Sequence, residues 1–275
     1  MARRVSPIRC APASTRWLNV ADNVAVPAAE VVVTVAVAVA VVVVAAAVAA
    51  VEVVMAVADG QVGRVALVAG ATGLVGREVL AVLSADKHWR AIHVVGRSAP
   101  EAWHARVHFH PVDFARLPEL PPVDDAFIAL GTTIKVAGSQ EAFRSIDHDA
   151  VLAVARQARA AGATRLAVVS AMGADAHART FYNRVKGETE DRLRQLGYPT
   201  LVIARPSLLV GDRAALAQPA RLGERLMQFG LALFAPLLPA DYRAIAATRV
   251  AAAMVRAVVD GTPGNRILSS GAMQP

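Results

Sequence analysis

The sequence predicts an α/β domain built on a doubly wound parallel sheet, and three observations predict it. The first is an apolar run, Arg64-Val-Ala-Leu-Val-Ala69, that enters the spaced glycines Gly70, Gly73 and Gly76 and passes at once into a helical pattern. In that pattern Leu74, Val75, Val79, Leu80 and Leu83 fall near one face. The second is the alternation of short apolar runs with helical stretches along the rest of the chain, as in βαβ units. The third is bulk: 275 residues, 55% of them apolar, are enough for a large buried core.

The glycine turn reads as strand, tight turn, helix. Glycine suits it because the chain must reverse sharply, bring backbone N–H groups up against a diphosphate and pack the helix closely on the strand. The diphosphate then sits at the positive end of the helix dipole. On this reading Gly70, Thr72, Gly73, Leu74, Val75 and Gly76 are the candidate contacts; an ordinary strand-to-helix turn is the bland alternative. Residues 91–95 form a second strand ending at Gly96-Arg97-Ser98. Dinucleotide folds usually carry a carboxylate here for the ribose hydroxyls. Arg97 instead suits a 2′-phosphate, and a charge-assisted bond of about 1.5–3 kcal/mol favours NADP over NAD by about ten- to a hundredfold. A solvated arginine at a strand end is the other reading.

Residues 107–112 read as a third strand, with Asp113 at its end near the adenine. His108 and His110 share one face, with His104 close by, but no acidic or cysteine partner has metal-site spacing, so no metal is expected. Residues 124–130 are a fourth strand. Leu130, Gly131 and Thr132 then pass close to the cofactor's ribose and nicotinamide, and Thr132 and Thr133 offer hydroxyls. Residues 140–161 are helical, with a break at Ile146-Asp147 and a stop at Gly162.

A fifth strand, residues 165–169, ends at Ser170. Tyr182-Asn-Arg-Val-Lys186 lies in the next helix, which runs to about Leu196 and is closed by Gly197, and spacing of four puts Tyr182 and Lys186 on one face. A phenol with a pKa of about 10 exchanges no proton usefully at neutral pH unless a cation favours its anion. A lysine supplies that cation and can bond the nicotinamide ribose, while a serine hydroxyl can hold the substrate oxygen. Ser170, Tyr182 and Lys186 are therefore the candidate catalytic residues. Residues 200–204 are a sixth strand. Residues 226–238 are strongly apolar, a pocket wall or dimer contact on one reading and plain core on another. Residues 248–259 form a helix and 267–269 a short closing strand.

Taken together, Gly70-Ala-Thr-Gly73-Leu-Val-Gly76, Val95-Gly96-Arg97-Ser98, Leu130-Gly-Thr-Thr133 with Ala137-Gly-Ser139, and Phe143-Arg-Ser-Ile-Asp147 carry a resemblance. Val169-Ser-Ala-Met-Gly-Ala-Asp175, Phe181-Tyr-Asn-Arg-Val-Lys-Gly-Glu188 and Ala204-Arg-Pro-Ser207 complete it. The chain from about Gly63 to the C terminus resembles an atypical short-chain dehydrogenase/reductase, most of all the Tat-interacting-protein-like branch, whose members are Rossmann-fold NADPH binders. The resemblance implies Ser170, Tyr182 and Lys186 as the catalytic trio, Arg97 at the 2′-phosphate and Arg205-Pro206 beside the nicotinamide. Relatives often carry a second hydroxyl residue after the strand-end serine, where this chain has Ala171. The expected function is NADP(H)-dependent hydride transfer to or from a carbonyl or alcohol carbon. The alternative is a non-catalytic NADPH-binding regulatory or partner-binding protein. Sugar-nucleotide epimerisation shares the fold but wants tightly held NAD, which Arg97 argues against.

Residues 1–60 read as a low-complexity Ala/Val-rich extension, and 61–275 as a single nucleotide-binding domain with a small C-terminal substrate-pocket extension. The net charge of +7 is arginine scattered among acids, so no nucleic-acid partner is expected. The lone Cys10 excludes a disulfide framework and a cysteine metal site. Residues 31–51 are long and apolar enough to span a bilayer. With Arg3, Arg4, Arg9 and Arg16 ahead of the run and Glu52 and Asp59 behind it, such a span exports everything downstream, away from a nicotinamide cofactor. The preferred expectation is a functional chain beginning near Met55, cytoplasmic, monomeric or homodimeric, acting on a small molecule the sequence does not identify. A membrane anchor through residues 31–51 is the alternative.

Overall fold

In the computed structural model, residues 63–101, 104–210 and 239–274 are described. The expectations for residues 1–60 and 226–238 lie outside them. β1 (Arg64–Ala69) is buried at every position after Arg64. Its side chains feed both faces of the sheet: Ala66 and Val68 join one core cluster, Val65, Leu67 and Ala69 the other. A strand covered on both faces has no polar side, so its sequence runs apolar without alternation.

β1 ends at Gly70, where φ is +87° and a Cβ would lie 2.6 Å from the Ala129 carbonyl. Helix α1 (Leu74–Ala85) then buries Val75, Gly76, Val79, Leu80 and Leu83. Leu74, expected in that stripe, is only partly buried. Gly76 packs in the stripe as backbone: a Cβ there would stand 1.9 Å from the Gly70 oxygen, so even alanine forces helix and turn apart.

The chain continues through β2 (Trp89–Gly96), β3 (Val107–Pro111) and β4 (Asp125–Ile128). Two short helices, α2 (Ile134–Ala137) and α3 (Gln140–Arg144), lead into a π-helical turn (Ser145–Ala150) and α4 (Val151–Ala160). The break expected at Ile146-Asp147 is this π turn, a form that inserts an extra residue without ending the helix. β5 (Arg165–Val169), α5 (Phe181–Arg194) and β6 (Thr200–Arg205) follow. β7 (Leu209–Val210) pairs with β8 (Ile245–Ala246) outside the main sheet, and α6 (Ala247–Asp260) and β9 (Gly264–Ser269) complete the order.

The main sheet has seven strands in the order β3-β2-β1-β4-β5-β6-β9, every adjacent pair parallel. Residues of α1 and α6 pack on one face and residues of α4, with Leu193 of α5, on the other. Among the described residues no helix joins β2 to β3 or β3 to β4. There the sheet is covered by Val112, Phe114, Leu117, Leu120 and Val123 from an irregular stretch. The order reverses between β1 and β4, so their carboxyl ends diverge into the crevice where open α/β sheets take ligands. At the opposite end Asp125, fully buried, accepts from Arg64 Nη2 at 2.7 Å and from Trp89 Nε1 at 2.9 Å, locking the starts of β1, β2 and β4. Far from the crevice, that carboxylate is structural.

Candidate active site

The crevice begins at the α1 amino terminus. Gly73, its N-cap, is extended (φ −82°, ψ 170°) and supplies no side-chain cap, and the first turn holds no acidic residue. The Gly73 N–H donates to Gly70 O at 2.9 Å and Arg77 N–H to Gly73 O at 3.0 Å. The first-turn amides of Leu74, Val75 and Gly76 have no earlier helical carbonyl to bond. Such a bare terminus, carrying about half a positive charge, is a cradle for an anion. Thr72 is exposed beside it. The residues present therefore fit a dinucleotide phosphate.

Arg97 follows β2 directly and is exposed, with no ion pair among the described residues. Asp113 lies exposed just past β3, and its Oδ1 accepts the Ala115 N–H at 3.0 Å, capping that turn. Leu130 packs partly into the core, while Gly131 is open.

Across the crevice, α5 presents Tyr182 and Lys186. The Lys186 ammonium stands 2.7 Å from Asp147 Oδ1, an ion pair whose side chains are 6% and 0% exposed. Asp147 Oδ2 accepts the Thr132 N–H at 2.9 Å, and its backbone carbonyl accepts from Thr189 Oγ1 at 3.2 Å. Gly131 closes over the pair: a Cβ there would lie 3.3 Å from Asp147 Oδ1 and 3.7 Å from Lys186 Nζ. Tyr182 is half-buried with its ring 5.4 Å from that of Phe143, and among the described residues its hydroxyl has no hydrogen-bond partner. Gly187 lets the loop after β5 lie against α5, since a Cβ there would meet Ala176 N and Asp175 C at 2.1 Å.

Ser170 stands at the end of β5 with its hydroxyl turned inward, donating to Glu190 Oε1 at 2.6 Å. Glu190 is 1% exposed and also accepts from Arg205 Nε at 2.9 Å, Arg205 Nη2 at 2.6 Å and Arg194 Nη2 at 2.9 Å. Those hydrogen bonds to Glu190 hold Arg205 above its ordinary pKa. Pro206 is buried, its carbonyl accepting the Met172 N–H at 3.0 Å. The loops after β5 and β6 are thus tied to α5 through one buried carboxylate. Sequence reasoning missed Asp147 and Glu190 as site residues; the only signal was an acid inside an otherwise core-facing helical stripe.

The β2–β3 register places His93 opposite His108. His93 Nδ1 lies 2.9 Å from His110 Nε2, so one neutral ring donates and the other accepts. Among the described residues no group of three or more His, Cys, Asp or Glu is placed to hold a metal. Burial first, then His110, His108 and Arg90, pushes His93 down to about 4. The unfolded chain takes this proton near the ordinary imidazole value of about 6.5, so within that window it binds more protons than the folded chain. Stability is therefore full above the window and falls as the pH drops through it. Discounted for the half-exposed ring, the loss is on the order of 1 kcal/mol. Melting curves taken near neutrality and near the bottom of the window should drop less for His93→Gln than for the wild type; equal drops contradict the assignment.

No family model matches the chain. Among solved structures it is similar to MoeE5, determined in complex with UDP-glucose and NAD, with a TM-score of 0.57 and 14% identity over 75% of each chain. It is similar too to a short chain dehydrogenase family protein from Francisella tularensis subsp. tularensis SCHU S4, with a TM-score of 0.56 and 12% identity over 76% of this chain and 98% of that one. These likenesses show the fold: a Rossmann-type parallel sheet flanked by helices.

Among curated proteins, the FMP52-1 protein, mitochondrial, of Scheffersomyces stipitis is 32% identical over 156 residues, 54% of this chain and 68% of its own. The fmp52 protein, mitochondrial, of Emericella nidulans is 36% identical over 159 residues, 54% of this chain and 68% of its own. The chain belongs to the FMP52 family. The motifs point to the Tat-interacting-protein-like branch, whereas the relatives found are FMP52 proteins. Those relatives are named as mitochondrial, which overturns the expectation of a cytoplasmic location. Among the described residues no helix is long and apolar enough to cross a membrane.

Proposed function

We propose that the chain is an NADP(H)-dependent oxidoreductase of the atypical short-chain dehydrogenase type, acting on a carbonyl or alcohol carbon of a small molecule. The observation that carries the reading is the uncapped α1 terminus on one side of the strand-order reversal and Lys186, buried under Gly131, on the other. The first suits the central diphosphate of a nicotinamide dinucleotide and the second its nicotinamide ribose. When bound, the nucleotide supplies or takes up the hydride.

The chain's own residues do the rest. Gly70, Thr72, Gly73, Leu74, Val75 and Gly76 line the phosphate cradle, and Arg97 meets the 2′-phosphate. Asp113 borders the adenine, and Leu130, Gly131, Thr132 and Lys186 the nicotinamide ribose, with Arg205 and Pro206 beyond. Tyr182, its hydroxyl without a hydrogen-bond partner among the described residues, gives a proton to the substrate oxygen. Ser170 keeps the end of β5 in register through Glu190, and its hydroxyl reaches substrate only by leaving that carboxylate.

A specific observation favours a second reading, a nucleotide-binding regulatory or partner-binding protein. Ser170 is held by Glu190 and the next residue is Ala171, so no serine or threonine hydroxyl at the end of β5 faces the substrate position. Mixing the protein with NADPH and a panel of aldehydes and ketones separates the two. Loss of reduced-nicotinamide absorbance with any carbonyl supports the enzyme, binding with no turnover across the panel supports the regulator, and no binding removes both. The cofactor choice has its own test. Arg97→Ala should weaken NADPH binding about ten- to a hundredfold and leave NADH unchanged; equal losses of both contradict the 2′-phosphate role.

A further inference from the structure

We propose, on the dinucleotide reading above, that Asp147 is the positioning residue of this site, the carboxylate that sets both the Lys186 ammonium and the Thr132 amide where the nicotinamide ribose meets the chain. Its two oxygens reach two different walls of the crevice. Oδ1 takes Lys186 from α5 and Oδ2 takes the Thr132 N–H from the loop after β4. The π turn that carries Asp147 is tied to α5 a second time through Thr189. π turns inside helices are frequent at functional sites.

Among the described residues Lys186 has no other counter-charge. Glu188, on the same helix, pairs with Arg144 of α3 at 2.6 Å, and Glu190 pairs with Arg194 and Arg205. On the π turn His148 faces Asp149 at 2.7 Å, and Lys135 of α2 is exposed. Tyr182, four residues earlier on α5, is the remaining titratable group on that face. An ammonium 6% exposed is costly to bury unpaired, so its place beneath Gly131 depends on Asp147. Lys186 is therefore placed at the site as one half of an ion pair, its charge balanced by Asp147. That differs from the free cation expected of a lysine four residues from a tyrosine.

The test uses the full chain as wild type, Asp147→Asn, Lys186→Met and the double variant, each read by NADPH fluorescence titration across neutral to alkaline pH and by thermal melting. Asparagine keeps an acceptor for the Thr132 N–H and removes the counter-charge alone. The unpaired ammonium of that variant gives up its proton as the pH rises. Its NADPH affinity should then fall by up to about tenfold per pH unit, the limit for one proton, while the wild-type affinity stays flat. Lys186→Met should bind weakly at every pH, and the double variant should match it, because Asp147 acts through the lysine. A flat pH response in Asp147→Asn, or losses that simply add in the double variant, overturns the proposal. If Asp147→Asn does not fold, adding Lys186→Met removes the unpaired cation and should restore a cooperative melt; a double variant no better folded overturns it too. Should the wild type not bind NADPH, the dinucleotide reading falls. Coupling seen in melting alone then reduces Asp147 to a structural role and overturns the positioning proposal.

Discussion

Replacing Tyr182 by phenylalanine should lower carbonyl reduction by about a hundredfold to ten-thousandfold, the range for removing a positioned proton donor. NADPH binding and melting temperature should stay at wild-type values. The separation is expected because only the hydroxyl is lost: it has no partner among the described residues, and the ring keeps its place 5.4 Å from that of Phe143. A melting temperature that fell with the activity would mean that the hydroxyl supports the fold. Undiminished reduction in the variant would give the proton transfer to another group and remove Tyr182 from the catalytic role.

Glu190→Ala should destabilise the domain by about 3–5 kcal/mol, the cost of leaving buried charge unpaired. The carboxylate is 1% exposed and takes four hydrogen bonds, from Ser170, from Arg194 and twice from Arg205. Removing it leaves two part-exposed guanidinium groups without their shared carboxylate and frees the ends of β5 and β6. Ser170→Ala removes one of those bonds and should cost about 1.5–3 kcal/mol, since the acceptor is charged. Denaturant melts of the two variants order the effects. A wild-type melt for Ser170→Ala with lost reduction would place the serine on the substrate instead.

Much of the fold was legible because it depends on local pattern. The apolar run into Gly70 predicted a strand, and the stripe over Leu74, Val75, Val79, Leu80 and Leu83 predicted the face that α1 buries, Leu74 apart. The interruption at Ile146-Asp147 was legible as a break. Its π form was not, because the extra residue is fixed by what Asp147 reaches and not by the residues beside it. The same limit hid the site's electrostatics. Asp147 meets Lys186, and Glu190 meets Arg205, only after the sheet has brought distant segments together. His93 was passed over for the same reason: it joins His110 through the register of two parallel strands, which spacing within one strand does not reveal.

The most direct measurement is an NADPH titration, by nicotinamide fluorescence, of the wild type beside Gly73→Asp. Position 73 is extended, a conformation any residue adopts, and a Cβ there lies 3.3 Å from the Gly70 oxygen, which asks for a shift of a few tenths of an ångström. Aspartate at an N-cap accepts the first-turn amides and, relative to glycine, offsets that strain by roughly a few tenths of a kcal/mol. It also places a negative charge where the diphosphate must sit. Saturable wild-type binding that disappears in Gly73→Asp at an unchanged melting temperature is the predicted result. A wild type that fails to bind, or a variant that binds equally well, would contradict the assignment of the α1 terminus as the nucleotide cradle.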